Sequence, residues 1–396
     1  MHPDRLDQLA EFPFRRLAAL LEGIAPGAEP AADLALGEPK HAPPAMLAET
    51  VAANAHLWNR YPPPLGTPAF RETVAGWLKR RFGLPAGAVS PARHIVPLAG
   101  TKEGLYMLAA ATVPETVRGG RPVVLMPSPV YAVYYGAAVM AGAEPVLLHA
   151  TAETGFLPDF DSVPPALLER TALAYLCTPA NPQGSVADEA YLGRAIALAR
   201  KHGFVLAVDE CYSEIYDRSP PPGSLAVALA AGGDFAQVLA FHSLSKRSSA
   251  AGLRSGFVAG DPAVLARLAR LRGYAAAVQP MPLMAAATEL WRDETHVEEN
   301  RARYRAKIDV AERALGGRLG FYRPEGGFFL WLKVGDGESA TLRLWREAGI
   351  RVLPGGYLSA GSGNANPGNP FIRVALLDEP HQLEPVLHRL ADTLAP

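Results

Sequence analysis

A chain of 396 residues is long enough for two or three structural domains, and 49% hydrophobic residues can bury a large core without a disulfide or metal staple. The formal net charge of −1, with no basic stripe, argues against a nucleic-acid binder; the run Lys79-Arg80-Arg81 closes an amphipathic helix, where positive charge suits the C-terminus. The two cysteines, Cys177 and Cys211, exclude a zinc ribbon and argue against a disulfide framework, and Cys177 reads as core packing.

In chain order, the N-terminus Met1-His2-Pro3-Asp4-Arg5 lacks the basic-then-apolar pattern of a signal peptide. Thr67 and Pro68 open a helix as N-cap and first-turn proline. Phe70, Val74, Trp77, Leu78 and Phe82 recur on one of its faces, and Gly83 stops it. Short apolar runs then alternate with helical stretches, as a mostly parallel α/β sheet requires. The pattern predicts strands at 94–98, 122–126, 144–149, 172–177, 204–208, 237–241 and 256–259, with helices at 101–112, 132–141 and 188–202 among them. The uncharged stretch 122–143 is long enough to span a membrane, but Pro127, Pro129, Gly136 and Gly142 split it into strand, loop and helix, so buried α/β structure is expected. After Asp261 two long helical stretches run to about Leu315. Strands at 328–332, 351–353 and 371–375 and a helix from 380 to 394 follow, with a surface loop at 360–370. The expected division is a large α/β domain over 46–275 and a smaller α+β domain built from 1–45 and 276–396.

The chemistry sits where the central strands end. Ala99-Gly100-Thr101-Lys102 follows the first, Pro127-Ser128-Pro129-Val130-Tyr131 the second, Thr178-Pro179-Ala180-Asn181 the fourth, Asp209-Glu210-Cys211-Tyr212 the fifth and His242-Ser243-Leu244-Ser245-Lys246 the sixth. In open α/β sheets ligands bind outside the carboxyl ends of the strands. Gly100 and Thr101 at a helix start offer N–H groups to a phosphate, and Ser243, Ser245 and Arg254 add hydroxyls and a permanent positive charge. Asp209 at the end of a buried strand wants a cationic partner such as a protonated ring nitrogen, while Asn181 and Tyr212 can donate to a ring oxygen. Tyr131, or the nearby Tyr134 or Tyr135, offers an aromatic face, and Lys246 supplies an amine for a Schiff base. A phosphorylated pyridine aldehyde fits all of these groups.

Ser243-Leu244-Ser245-Lys246, with Arg254 further on, resembles the cofactor signature of the fold-type I, class I/II aminotransferases that use pyridoxal 5′-phosphate. The resemblance begins at Leu36-Gly37-Glu38-Pro39 and passes Tyr61, Gly66-Thr67-Pro68, Arg71, Asn181-Pro182-Gln183-Gly184 and Asp209 to Phe371-Ile372-Arg373-Val374-Ala375. The wording Glu210-Cys211-Tyr212-Ser213-Glu214-Ile215-Tyr216 and Gly252-Leu253-Arg254-Ser255-Gly256-Phe257 is similar to the bacterial succinyldiaminopimelate transaminases of lysine and cell-wall precursor biosynthesis. The resemblance implies a large domain with a mostly parallel sheet beside a smaller α+β domain, and Lys246 as the internal aldimine. Asp209 would hold the pyridine nitrogen, Asn181 and Tyr212 the ring oxygen, and Tyr131 the ring face. Gly100, Thr101, Lys102, Ser243, Ser245 and Arg254 would surround the phosphate, Lys102 through its backbone. Arg373 would grip the substrate α-carboxylate, Gly37 would line the substrate pocket beside Asn181, and Tyr61 would reach the phosphate of the other subunit of a homodimer. The implied reaction is ping-pong transfer between N-succinyl-LL-2,6-diaminopimelate and 2-oxoglutarate in the cytoplasm. Other readings are an aspartate or N-acetylornithine specificity or a carbon–sulfur lyase of the same fold. A transcription regulator would need a DNA-binding domain before Gly37, and a nicotinamide enzyme a G-x-G-x-x-G turn that is missing. Lys40, His41 and Arg247 are candidates for the distal substrate group.

Overall fold

The computed structural model describes residues 4–275, 278–359 and 366–395. Its main feature is a seven-stranded sheet, in the spatial order Ile95–Leu98, Gly256–Gly260, Val238–Ser243, Val205–Asp209, Thr171–Cys177, Val123–Ser128, Glu144–His149. The central strands read as unbroken apolar runs because helices cover both faces; Val123–Ser128, Val205–Asp209 and Val238–Ser243 are buried throughout. Alternate side chains enter opposite cores. Leu206 and Val208 join Trp77, Phe257 and Trp291 on one side, and Val205 and Ala207 join Tyr134, Tyr175 and Phe241 on the other.

The expected membrane-length stretch resolves into the strand Val123–Ser128 and the helix Ala132–Met140, and among the described residues no helix is long and apolar enough to cross a membrane. The helix Pro68–Phe82 has the expected ends: Thr67 accepts a hydrogen bond from the Phe70 N–H, and Gly83 closes it in the left-handed conformation.

Within this sheet Gly256–Gly260 runs opposite to the other six strands, antiparallel to both Val238–Ser243 and Ile95–Leu98. Its start therefore lies at the same edge of the sheet as the carboxyl ends of the other strands. That reversal is what brings Arg254, two residues before the strand, to the functional edge.

A second, three-stranded antiparallel sheet has Phe371–Ala375 between Leu353–Pro354 and Phe329–Lys333. The helices Thr295–Leu315, Gly337–Ala348 and Pro380–Leu394 contribute to its core. Ala32–Asp33 pairs in parallel with Ile350–Arg351, which draws the N-terminal segment into this unit.

The expected strand 351–353 is two strands. Ile350–Arg351 pairs with the N-terminal segment, the chain changes partner at buried Val352, and Leu353–Pro354 pairs with Phe371–Ala375. The helix Met281–Arg292 follows the expected seam at 275, yet Met284, Ala287, Leu290 and Trp291 lie in the core under the large sheet, with Trp291 4.8 Å from Trp77 between ring centroids. In the expected loop 360–370, residues 360–365 lie outside the described residues and 367–370 form turns.

Candidate active site

A cavity of about 660 Å³ opens at the carboxyl edge of the large sheet. It is lined by Gly37, Thr101, Lys102, Tyr131, Asn181, Asp209, Tyr212, Ser243, Ser245, Lys246, Arg254 and Arg373, so the structure gathers in one place nearly all the residues singled out from the sequence. Cys177 also lines it, at the end of its strand, rather than serving only as core packing.

Asp209 ends its strand 6% exposed. Its hydrogen-bond partners are neutral: the Tyr134 hydroxyl donates to it at 2.7 Å and the Cys211 N–H at 3.2 Å. Burial pushes its carboxyl pKa up, against the downward pull of those two donors. A cationic ring N–H would hold such a buried carboxyl in its ionised form, so Asp209 fits the pyridine nitrogen of pyridoxal phosphate. Tyr134 is not a free aromatic face; it is buried and stacked on Tyr175 at 4.5 Å. Tyr131 stands edge-on to it at 5.4 Å and lines the cavity, while Tyr135 is not among the lining residues.

The end of the cavity beside Thr101 and Arg254 is built from backbone and charge. Gly100 caps the helix Thr101–Thr112 at φ 84°, ψ 148°, a conformation that only glycine adopts readily. A Cβ there would lie 2.3 Å from Arg254 Nη2, so the missing side chain is the space the guanidinium occupies. Gly100 itself is not on the cavity wall but supports the group that is. Ser243 Oγ accepts from the Ser245 N–H at 3.1 Å, which orders the turn between strand and helix. The Lys102 ammonium lies 5.6 Å from the Phe12 ring centroid, and its backbone N–H lies in the first turn of the helix. Together the helix N-terminus, the two serines and Arg254 suit an anion.

Lys246 lies on the four-residue helix Leu244–Arg247, and its amine donates to the Gly37 carbonyl at 2.5 Å. Burial lowers its pKa to about 8; Arg373 and Arg254 push the same way, against Cys211 and Glu38. Arg373 is 5% exposed, donates to Ala35 O at 2.7 Å and Asn181 Oδ1 at 3.3 Å, and keeps a buried Nε without a partner. Burial lowers its pKa to about 10. A buried, under-used guanidinium is suited to a carboxylate. Gly37 is held against Phe329, whose ring would meet an added Cβ at 2.5 Å. Tyr212 is buried edge-on to Phe328 and Phe329.

Tyr61 is fully exposed and outside the cavity. The three distal-group candidates also lie elsewhere. Lys40 pairs with Asp378 at 2.6 Å, His41 is buried against Lys307, and Arg247 is spent on Leu290 O and Glu294. The wall they were expected to supply comes instead from Phe12, Pro13, Phe14, Leu36, Phe329 and Leu358. Phe12 to Phe14 open the helix Pro13–Leu20, which carries no polar motif that would have flagged it. Glu210 is buried 3.1 Å from His242 and accepts from the Ser224 N–H.

A family model for aminotransferases of class I and II matches residues 30–390. The chain is 35% identical over 371 residues to the 4-dedimethylamino-4-oxo-anhydrotetracycline transaminase OxyQ of Streptomyces rimosus, covering 93% of this chain and 95% of that one. It is 30% identical to the LL-diaminopimelate aminotransferase of Desulforudis audaxviator, over 98% and 97% of the two chains. Among solved structures, an aminotransferase from Neisseria meningitidis superposes with a TM-score of 0.91 at 35% identity, over 99% of each chain. A probable N-succinyldiaminopimelate aminotransferase from Thermus thermophilus does so with a TM-score of 0.83 at 27% identity, over 96% of this chain and 99% of that one.

Proposed function

The chain belongs to the class I and II aminotransferases, which depend on pyridoxal phosphate, and from that premise we propose that it moves an amino group from an N-succinyl-LL-2,6-diaminopimelate donor to 2-oxoglutarate, using Lys246 to carry the proton. The observation that carries the reading is the enclosure of Lys246, Asp209 and Arg373 in one cavity, an amine of lowered pKa sharing its walls with a buried carboxylate and a buried guanidinium. When bound, pyridoxal phosphate supplies an aldehyde that condenses with amines and a ring that draws electrons from the substrate α-carbon. In this reading Asp209 keeps the ring nitrogen protonated, Tyr131 covers the ring face, and Asn181 and Tyr212 donate to the ring oxygen. Thr101, Ser243, Ser245 and Arg254 bind the phosphate, with Gly100 making room for the last. Arg373 grips the α-carboxylate and so orients the α-hydrogen toward the Lys246 amine, which takes that proton as a base and returns it as an acid.

The diaminopimelate assignment is supported by the wording around Cys211 and Arg254 and by the two diaminopimelate enzymes above. The apolar wall of Phe12, Phe14, Leu36 and Leu358 and the likeness to OxyQ favour a second reading, a bulky and largely apolar partner. We read the chain as a cytoplasmic homodimer divided into a large cofactor-binding unit and a smaller one. Exposed Tyr61, Trp58 and Leu65 support a subunit interface at that loop, with Tyr61 reaching the neighbouring phosphate.

A panel of donors against 2-oxoglutarate tests the assignment. Turnover with N-succinyl-LL-diaminopimelate above that with N-acetylornithine, aspartate and aromatic amines supports the first reading; strong activity elsewhere and none there overturns it. Pyruvate and ammonia release from cystathionine would identify a lyase.

A further inference from the structure

The Lys246 helix has only four residues, and its closing carbonyls find no partner within the helix. Asn300, on the long helix Thr295–Leu315, supplies one: its amide nitrogen donates to Lys246 O at 2.9 Å and to Arg247 O at 3.2 Å. With the nitrogen committed to two carbonyls, the amide oxygen faces His41 Nδ1 at 3.2 Å. His41 Nδ1 must therefore carry a proton, and Nε2 is left as an acceptor. Lys307, 0% exposed, fills that role, donating to His41 Nε2 at 2.6 Å and to Leu377 O at 2.5 Å. One assignment of protons thus satisfies the whole chain from Lys307 through His41 and Asn300 to the backbone of Lys246. Burial and Lys307 lower the pKa of His41 against the opposite pull of Asn300 and of Glu379, whose carboxylate is 3.7 Å from Nε2, in keeping with a neutral ring.

The backbone of His41 is tied to the same place, since Ser249 Oγ donates to His41 O at 2.7 Å. His41 ends the segment whose Gly37 carbonyl receives the Lys246 amine and whose Ala35 carbonyl receives Arg373. The stem and the tip of Lys246 are therefore both referenced to one short stretch of chain.

We propose that His41, clamped between Lys307 and Asn300, is a positioning residue that sets the register between the Gly37 segment and the Lys246 helix, and so the approach of the Lys246 amine to the substrate. The proposal rests on the reading of Lys246 as the proton carrier.

The test is a single-turnover reaction of the holoenzyme with L-glutamate and with α-deuterated L-glutamate, followed by the change in the visible absorbance of the cofactor. His41→Leu should keep the cofactor absorbance per subunit and the concentration dependence on glutamate, slow the reaction by roughly tenfold to a hundredfold, and enlarge the deuterium isotope effect, because proton transfer becomes the slow step. His41→Asn, whose amide N–H stands in for Nδ1–H, should restore most of the rate. Asn300→Asp, nearly isosteric, turns an oxygen toward the Lys246 carbonyl and should slow the reaction with the same enlarged isotope effect, whether or not His41→Leu folds. A slower reaction with the wild-type isotope effect, wild-type rates in the variants, or a His41→Asn variant no faster than His41→Leu would overturn the proposal. Wild-type enzyme that leaves the cofactor absorbance unchanged with glutamate would instead refute the underlying reading and the proposal with it.

Discussion

Replacing Gly100 with alanine puts the proposed phosphate site under a defined load. The backbone at φ 84°, ψ 148° lies in a region where a side chain costs about 1–3 kcal/mol. The new Cβ would lie 2.3 Å from Arg254 Nη2 and 2.8 Å from Cζ. Those atoms are the far end of a flexible side chain, so the cheapest relief is for the guanidinium to leave. A charge-assisted hydrogen bond is worth about 1.5–3 kcal/mol, which converts to a loss of cofactor affinity of about ten- to 150-fold. Titration of apoenzyme with pyridoxal phosphate, followed by absorbance, measures that loss directly. The melting temperature of the apoprotein should fall by only a few degrees. Cofactor affinity within twofold of wild type would refute the claim that Gly100 exists to seat Arg254 at the phosphate.

Tyr134→Phe removes the 2.7 Å hydrogen bond to Asp209 while keeping the stack on Tyr175, so the fold should persist and turnover should fall by roughly tenfold or more, as steady-state kinetics would show. Arg373→Lys keeps the charge but loses the fork; the donor KM should rise at least about tenfold, and an unchanged KM would mean that the carboxylate binds elsewhere. Cofactor removal exposes the Lys246 amine. Its depressed pKa means that the neutral, reactive form accumulates as pH rises through about 8, well below the range of an ordinary lysine. The rate at which an amine-directed reagent labels residue 246, read by peptide mass spectrometry, should rise through that range; a midpoint near 10 would contradict the enclosure.

The sheet was legible because each central strand is an unbroken apolar run followed by a polar turn, a pattern set by burial on both faces. Strand direction was not, since Gly256–Gly260 reads the same either way and only its neighbours make it antiparallel. Val352 hid a change of partner inside one apolar stretch. At the site, residues with distinctive chemistry at strand ends could be collected from the sequence, and the cavity gathers them. The apolar wall could not, because Phe12, Phe14 and Leu358 look like any other hydrophobic residue until the helix Pro13–Leu20 folds over the cavity. Lys40, His41 and Arg247 failed as distal contacts for a related reason. A charged or polar side chain next to a motif is a candidate by proximity, yet Arg247 and His41 are both used up in buried networks.

The central claim is that Lys246 carries the cofactor. Borohydride reduction of the holoenzyme followed by peptide mapping tests it most directly. The account predicts one pyridoxyl-modified peptide, containing residue 246, and loss of both the visible absorbance and turnover in Lys246→Ala. Modification at another lysine, or turnover that survives the substitution, would contradict it.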